Sequence, residues 1–232
     1  MDLLDIKYNK DCMVVGDKRY RNRLTFNDIF YMIQRDLYDN HYQSIKCRDD
    51  AFEKINNIPS MTFVYHKVLG QHKFINARMF IEEYKNMHCK VEGNQIWVPN
   101  VPFAVTMNAF ESRLYRAYMS FHKELYIRHW LIDKGLNARY SSEMDYDGYD
   151  ITVEKPDGHI FGIRIYSKTT RSEDMIRDKN ENRVNLPANS TAICFRVSSS
   201  FTLGHTWIPE DKLLNELLNY IISDVREDKI IG

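Results

Sequence analysis

The sequence predicts an α/β protein, with a mixed sheet between helices in its second half and a mostly helical region before it. Three patterns predict this class. Residues 108–134 place apolar side chains at helical spacing, whereas residues 150–154 and 159–167 alternate as strands do. A Lys-Pro-Asp-Gly sequence at residues 155–158 predicts a tight turn between those two strands. The 232 residues suffice for one domain, or for a core with an extension.

The first part of the chain is predicted to hold helices followed by a hairpin. The predicted helices cover residues 25–38, 49–55 and 76–87. The hairpin turns at Gly93-Asn94, between apolar residues that alternate on either side. This order is typical of a winged-helix-like module and equally of a small α+β appendage. We predict residues 1–105 as a region for binding or dimerisation, and residues 106–232 as the core.

The core is predicted to begin with the long helix at residues 108–134. Asn108 is the predicted cap, Glu111 the capping-box acid, and Gly135 the stop signal. Its buried stripe is predicted to consist of Phe110, Leu114, Ala117, Phe121, Leu125 and Ile132.

Further strands and helices follow this helix in a defined order. They are predicted as strands at 138–144, 150–154 and 159–167, a helix at 172–183, a strand at 192–197, and a helix from Pro209 to about residue 226. Three consecutive strands, a crossover helix and a last strand predict a mixed sheet with helices on both faces.

Composition excludes a generally basic nucleic-acid binder, because 32 Lys and Arg balance 32 Asp and Glu. Any contact with nucleic acid must therefore use local patches. The one basic run is Lys18-Arg19-Tyr20-Arg21-Asn22-Arg23, which fits phosphate binding and base stacking, or simply a solvated loop.

The cellular compartment is inferred from the cysteines and from the length of the apolar runs. Four scattered cysteines without CxxC spacing are typical of a reduced intracellular protein. No apolar run has the length of a signal peptide or of a membrane-spanning helix. We therefore expect a cytoplasmic protein with no membrane association.

The order of elements resembles the αβββαβ core of the PD-(D/E)XK, or restriction-endonuclease-like, nucleases over residues 108–197. In that family a helix glutamate, an aspartate at the start of the second strand and a Glu-x-Lys on the third strand meet at one end of the sheet. Glu124 and Asp150 match the first two positions. The resemblance implies that these two carboxylates hold Mg²⁺ or Mn²⁺ for phosphodiester hydrolysis.

The third motif departs from the family pattern. Arg164 stands in the acidic position and Tyr166 in the lysine position, while Lys168 follows on the same strand face. This is similar to the relaxed third motif of the endonuclease subunits of heteromeric transposases. A fixed arginine opposes metal binding. A relocated carboxylate has three candidates, which the sequence does not separate: Glu143, Glu154 and Glu173.

Two functions follow as hypotheses. The first is a metal-dependent DNA endonuclease or nuclease subunit of a restriction, repair, phage or mobile-element system, acting as a homodimer or in a larger complex. Its catalytic residues would be Glu124, Asp150 and Lys168. Its DNA-binding residues would be Arg164, Tyr166 and Arg171, together with Lys18, Arg19, Arg21 and Arg23. The second is a degenerate nuclease fold that binds DNA or a protein partner without cleaving.

Each candidate residue also has a purely structural interpretation. Glu124 could pair with an arginine of its own helix, Asp150 could close a turn, and Lys168 could be an exposed strand end. His122 and His129 lie too far apart for a one-turn zinc pair, although His122 could line a pocket beside Glu124. The absence of a Gly-rich phosphate loop and of a nucleophile elbow argues against nucleotide hydrolases and α/β-hydrolases.

Overall fold

A computed structural model describes residues 6–9, 12–15, 18–20, 24–35, 40–72, 74–139, 149–167, 189–204 and 206–232. Its helices are α1 (Phe26–Arg35), α2 (Asn40–Ser44), α3 (Asp50–Glu53), α4 (Met61–Gln71), α5 (Ala77–His88), α6 (Met107–Asp133) and α7 (Asp211–Ile222). Its strands are β1 (Ile6–Asn9), β2 (Cys12–Val15), β3 (Lys18–Tyr20), β4 (Lys90–Glu92), β5 (Gln95–Trp97), β6 (Val105–Thr106), β7 (Asn137–Arg139), β8 (Ile151–Glu154), β9 (Ile160–Ser167), β10 (Ser190–Val197), β11 (Ser200–Leu203), β12 (Thr206–Pro209) and β13 (Lys229–Ile231). None of the described helices is long and apolar enough to cross a bilayer.

A five-stranded mixed sheet forms the centre of the second half, in the order β13-β10-β9-β8-β7. β7, β8 and β9 are antiparallel neighbours, and β10 then lies parallel to both β9 and β13. The predicted turn at residues 155–158 joins β8 to β9, with Gly158 N donating to Lys155 O at 3.0 Å and Gly158 at φ 83°. The predicted α/β class and the mixed sheet are confirmed.

Helix α6 contacts both halves of the molecule. It packs against α1, α2, α4 and α5, and also against β7 and β12. One apolar core therefore runs from Phe80 of α5 through Leu125 of α6 to Ile163 of β9 and Leu217 of α7. The predicted boundary after residue 105 falls inside β6, directly before α6. The division of the chain into two regions at this point remains a prediction.

The predicted ends and stripe of α6 need three corrections. Thr106 is the cap instead of Asn108, because its hydroxyl accepts from Ala109 N at 3.4 Å at the end of β6. Glu111 is not a capping-box acid; its side chain is buried, and burial raises its pKa. Ile132 is 39% exposed on the last turn, since the helix buries residues on several sides rather than along one stripe.

Several short strands, and one helix without a distinct apolar face, differ from the predictions. Pro209 ends β12, where it faces Ser200 of β11, and α7 begins only at Asp211. α4, the β11–β12 hairpin and β13 were not predicted. α4 buries five residues and has little amphipathic contrast, so its sequence carries no clear helical period. The predicted helix at 172–183 lies outside the described residues, as does the part of the predicted first strand beyond residue 139.

Candidate active site

Asp150 lies at the end of the central sheet, immediately before β8. Its backbone N donates to Ile163 O at 2.9 Å, which continues the β8–β9 ladder by one residue. Its side-chain Oδ2 accepts from Ile165 N at 2.5 Å, and so occupies a position where a further strand residue would pair. The carboxylate is therefore fixed at the sheet edge by two contacts with β9.

Helix α6 carries the other candidate carboxylate, Glu124, directly after the buried Lys123. Lys123 is only 8% exposed, and burial lowers its pKa, whereas the carboxylates of Glu124 and Asp150 act in the opposite direction. Glu124 also accepts a hydrogen bond from Ser120 Oγ at 3.1 Å, one turn earlier on the helix. The charges of Glu124 and Asp150 thus both favour the protonated form of this buried lysine.

Tyr149, the neighbour of Asp150, is fixed between a glycine and an arginine. Its ring is buried against Gly162 of β9, where an added Cβ would lie 2.6 Å from two ring carbons. The Arg164 guanidinium lies over the same ring, with Cζ 4.6 Å from the ring centroid. The arginine in the acidic position is thus held by a cation–π contact beside the candidate site.

Replacing Gly162 by alanine should destabilise the fold by about 1–3 kcal/mol, because the added methyl group overlaps the Tyr149 ring. Urea denaturation measures this. In a double-mutant cycle, Gly162→Ala should cost less in a Tyr149→Ala background, where the ring is absent. Equal costs in both backgrounds would show that Tyr149 does not contact Gly162.

Tyr166 takes the lysine position of the third motif as a buried phenol. Burial raises its pKa to about 12, the Cys194 thiol adds to this, and Arg164 opposes it. Tyr166 and Cys194 form a small apolar cluster of their own. Within the described chain, no cation of β9 therefore stands at this position.

Arg196 is a further cation on this sheet face that the sequence did not single out. In the parallel register of β9 and β10, Arg196 pairs with Tyr166 and Cys194 pairs with Arg164, so all four side chains share one face. Only the register between β9 and β10 shows that Arg196 lies on this face, and the sequence alone does not give that register. Lys123 was overlooked for a similar reason, since its neighbours on α6 gave no sign that it is buried.

Other predicted site residues do not lie at the end of the sheet where Asp150 lies. Glu154 lies at the opposite end of β8, with its Oε2 3.3 Å from Arg139 Nη2, so it is not the relocated carboxylate. Lys18 and Arg19 lie in β3, which pairs with β2 in a separate three-stranded sheet. The remaining predicted site residues lie outside the described ranges: Lys168, Arg171, Arg21, Arg23, Glu143 and Glu173.

His122 faces the helical half of the molecule, and its predicted place beside Glu124 is wrong. Two residues along a helix rotate a side chain by about 200°. The His122 ring is fully buried, with its centroid 4.1 Å from that of Tyr118 and 5.9 Å from that of Tyr65. Neither ring nitrogen has a hydrogen-bond partner among the described protein atoms, and burial lowers the pKa of His122 to about 3.

The charges at the sheet end nearly balance. The carboxylates of Glu124 and Asp150 lie with the cations of Lys123 and Arg164. Two carboxylates suit a single Mg²⁺, which proteins usually bind through one or two such groups, with water and phosphate as the other ligands. Among the residues that the structure describes, no group of three or more acids, histidines or cysteines is arranged to hold a metal ion.

Comparison with known proteins adds no further support: no protein-family model, curated protein or solved structure matches the chain significantly.

Proposed function

We propose that the chain is a metal-dependent DNA nuclease, or the nuclease subunit of a larger complex, with a restriction-endonuclease-like core. The observation that carries this proposal is the Asp150 carboxylate fixed on Ile165 N at one end of a mixed sheet, with Glu124 on the long helix that precedes the sheet. The order of α6, three antiparallel strands and a parallel fourth strand supports it. These are the element order and the two carboxylate positions on which the resemblance to PD-(D/E)XK nucleases rests.

Glu124 and Asp150 would hold the Mg²⁺ or Mn²⁺ ion, which when bound stabilises negative charge on the phosphoryl oxygens. Ile165 N keeps the Asp150 carboxylate in a fixed orientation. In the hydrolysis a water oxygen forms a bond to phosphorus, the bond from phosphorus to the leaving sugar oxygen breaks, and that oxygen takes up a proton. Arg164, held over Tyr149, and Arg196 would contact phosphates of the DNA backbone.

A second candidate function is DNA binding without cleavage. The observation in its favour is that Lys123 and Arg164 offset the two carboxylates, which weakens metal binding and strengthens phosphate binding. The chain would then be an accessory subunit with a degenerate nuclease fold.

Nicking of supercoiled plasmid with Mg²⁺ or Mn²⁺ tests the first proposal. We expect the wild type to cut and Glu124→Gln to lose about 100-fold or more in rate, since the amide lacks the charge that holds the ion. Glutamine retains an acceptor for Ser120, so folding should be preserved.

Glu154→Gln is the matched control, because it makes the same change at the far end of β8 and should leave cleavage unchanged. Wild-type protein that binds duplex DNA but never cuts it would exclude the nuclease and support the second candidate. Failure to bind DNA would contradict both.

A further inference from the structure

We propose that Trp207 of β12 stacks on an unpaired base of the bound DNA, next to the phosphate at the candidate site. The preferred substrate is then duplex DNA with an adjoining single-stranded segment. The proposal rests on the proposed function in one respect, since the DNA is taken to lie at Glu124 and Asp150. It assigns a role to a hairpin that the sequence motifs did not indicate.

The β11–β12 hairpin begins at the end of the sheet where Asp150 lies. Strand β10 runs parallel to β9, with Phe195 beside Ile165 and Val197 beside Ser167. Because the Asp150 carboxylate accepts from Ile165 N, β10 ends two residues beyond the level of Asp150. Strand β11 begins after only two further residues, so the hairpin extends from this same end of the sheet.

The hairpin is also held against the helix that carries Glu124. Thr206 of β12 is buried, and its Oγ1 lies 3.7 Å from Sδ of Met119. Met119 lies five residues before Glu124 on α6, which is about one and a half helical turns. At the turn of the hairpin, Gly204 packs so closely on Ile33 O of α1 that an added Cβ would overlap this oxygen. The hairpin is therefore fixed to two helices beside the candidate site.

Trp207 lies on the open face of this hairpin. Side chains of β12 alternate between its two faces, so Thr206 and Ile208 are buried while Trp207 is 63% exposed. Thr202, its partner across the hairpin, is exposed as well. A large flat ring on a fixed hairpin suits stacking, because every nucleic-acid base has a π-face that can lie on it.

Two cations at the same end of the sheet favour nucleic acid as the partner of this ring. Arg164 and Arg196 lie on β9 and β10, within three residues of the ends of these strands. Proteins that bind single-stranded nucleic acid combine such cations, which contact phosphates, with aromatic rings that stack on bases. In an intact duplex the bases stack on each other, so Trp207 can take only a base that is unpaired.

An ordinary surface position without a ligand is the competing interpretation. Single exposed apolar side chains are common on proteins, and Trp97 of β5 is another example, with 41% of its surface exposed. Trp97 belongs to a separate three-stranded sheet, and its indole N–H donates to Glu92 at 3.0 Å. It is a matched control for Trp207, because both are exposed tryptophans of β-hairpins and only Trp207 extends from the end of the sheet where Asp150 lies.

The test is binding of fluorescently labelled DNA in EDTA, with a blunt duplex compared with the same duplex carrying a single-stranded tail. We expect Trp207→Ala to weaken binding of the tailed duplex about 10-fold and to leave binding of the blunt duplex unchanged. Trp207→Phe should retain most of the affinity, since phenylalanine keeps an aromatic face. Trp97→Ala should bind both duplexes as the wild type does.

Tryptophan fluorescence of the unlabelled protein reports the contact directly. The tailed duplex should quench the fluorescence of the wild type, because a stacked base lies on the indole ring. The quenching should be lost in Trp207→Phe and kept in Trp97→Phe.

The outcomes separate this inference from the nuclease proposal. Equal affinity of the wild type and Trp207→Ala for the tailed duplex, with plasmid nicking by the wild type, would overturn the inference while the nuclease proposal stands. Weaker binding by Trp207→Ala, with a wild type that cuts no DNA, would support the inference and overturn the nuclease. A dimer that Trp207→Ala dissociates without any change in DNA binding would place Trp207 between two copies of the chain, and so overturn the inference. A wild type that binds neither duplex would overturn both.

Discussion

Lowering the pH from about 7.5 to about 5.5 should destabilise the folded chain by about 4 kcal/mol, because His66 and His122 are buried and His129 is half-buried, all three in the neutral form. Burial is the largest cause in each case, and it lowers the pKa values of His66, His122 and His129 to about 3. Arg128 lowers the values for His66 and His129 further, whereas Asp28 acts in the opposite direction on His129.

The direction of this effect follows from proton uptake. In the unfolded chain a histidine binds a proton as the pH falls below about 6.5, whereas the folded chain does not bind it until about pH 3. The stabilisation is therefore complete above pH 6.5 and is lost between 6.5 and 3. Each histidine contributes about 1.4 kcal/mol per pH unit within that window, and the total stability of a domain is only about 5–15 kcal/mol.

Urea denaturation across this pH range measures the effect, and His122→Phe is the matched variant. It should remove about a third of the pH dependence. It should also leave stability near neutral pH equal or higher, since neither His122 nitrogen has a hydrogen-bond partner among the described atoms. A free energy of unfolding that is constant from pH 7.5 to 5.5 would show that these histidines are accessible to protons in the folded chain.

Asp150→Asn should lower the nicking rate without destabilising the protein, whereas Asp150→Ala should lower both the nicking rate and the stability. Asparagine keeps an oxygen to accept from Ile165 N but lacks the charge that would bind the ion. We expect a loss of about 100- to 1000-fold in nicking rate for both variants. Alanine additionally leaves the Ile165 N–H without this acceptor, at a cost of about 1–3 kcal/mol in the free energy of unfolding.

Asp157→Asn provides the control for both measurements. Asp157 also accepts from a backbone N–H two residues on, that of His159 at 3.0 Å, but it lies in the turn at the opposite end of β8. Its nicking rate should equal that of the wild type. Cleavage that survives in Asp150→Asn would exclude Asp150 from the site, even if the chain is a nuclease.

The sequence predicted those parts of the fold that depend on local patterns. The extent of α6, the turn at residues 155–158 and the alternation of β9 are all set by neighbouring residues. The β11–β12 hairpin was missed because β12, Thr206–Pro209, shows no alternation of polar and apolar residues and ends in a proline that we assigned to the next helix.

The candidate site was predictable only in part, for a different reason. Glu124 and Asp150 could be placed because a family pattern gives their positions in the order of elements. The burial of Lys123 and the position of Arg196 beside Tyr166 depend on packing and on the register of β9 with β10, which no local pattern contains. The prediction for His122 failed for a similar reason. His122 is close to Glu124 along the chain, but the rotation of the helix turns its side chain into the helical half of the core.

Helix α6 also constrains how this protein can evolve. Over 27 residues, or about 40 Å, it gives one side to the N-terminal helices and another to the sheet. Successive residues of α6 therefore lie in different environments. His122 lies in the helical core, whereas Lys123 and Glu124 lie on the side of the sheet. If only the sheet half were exchanged between diverged lineages, the apolar face of α6 would pack against side chains that do not fit it. We therefore expect the two halves to be inherited together and to change in a correlated way along α6.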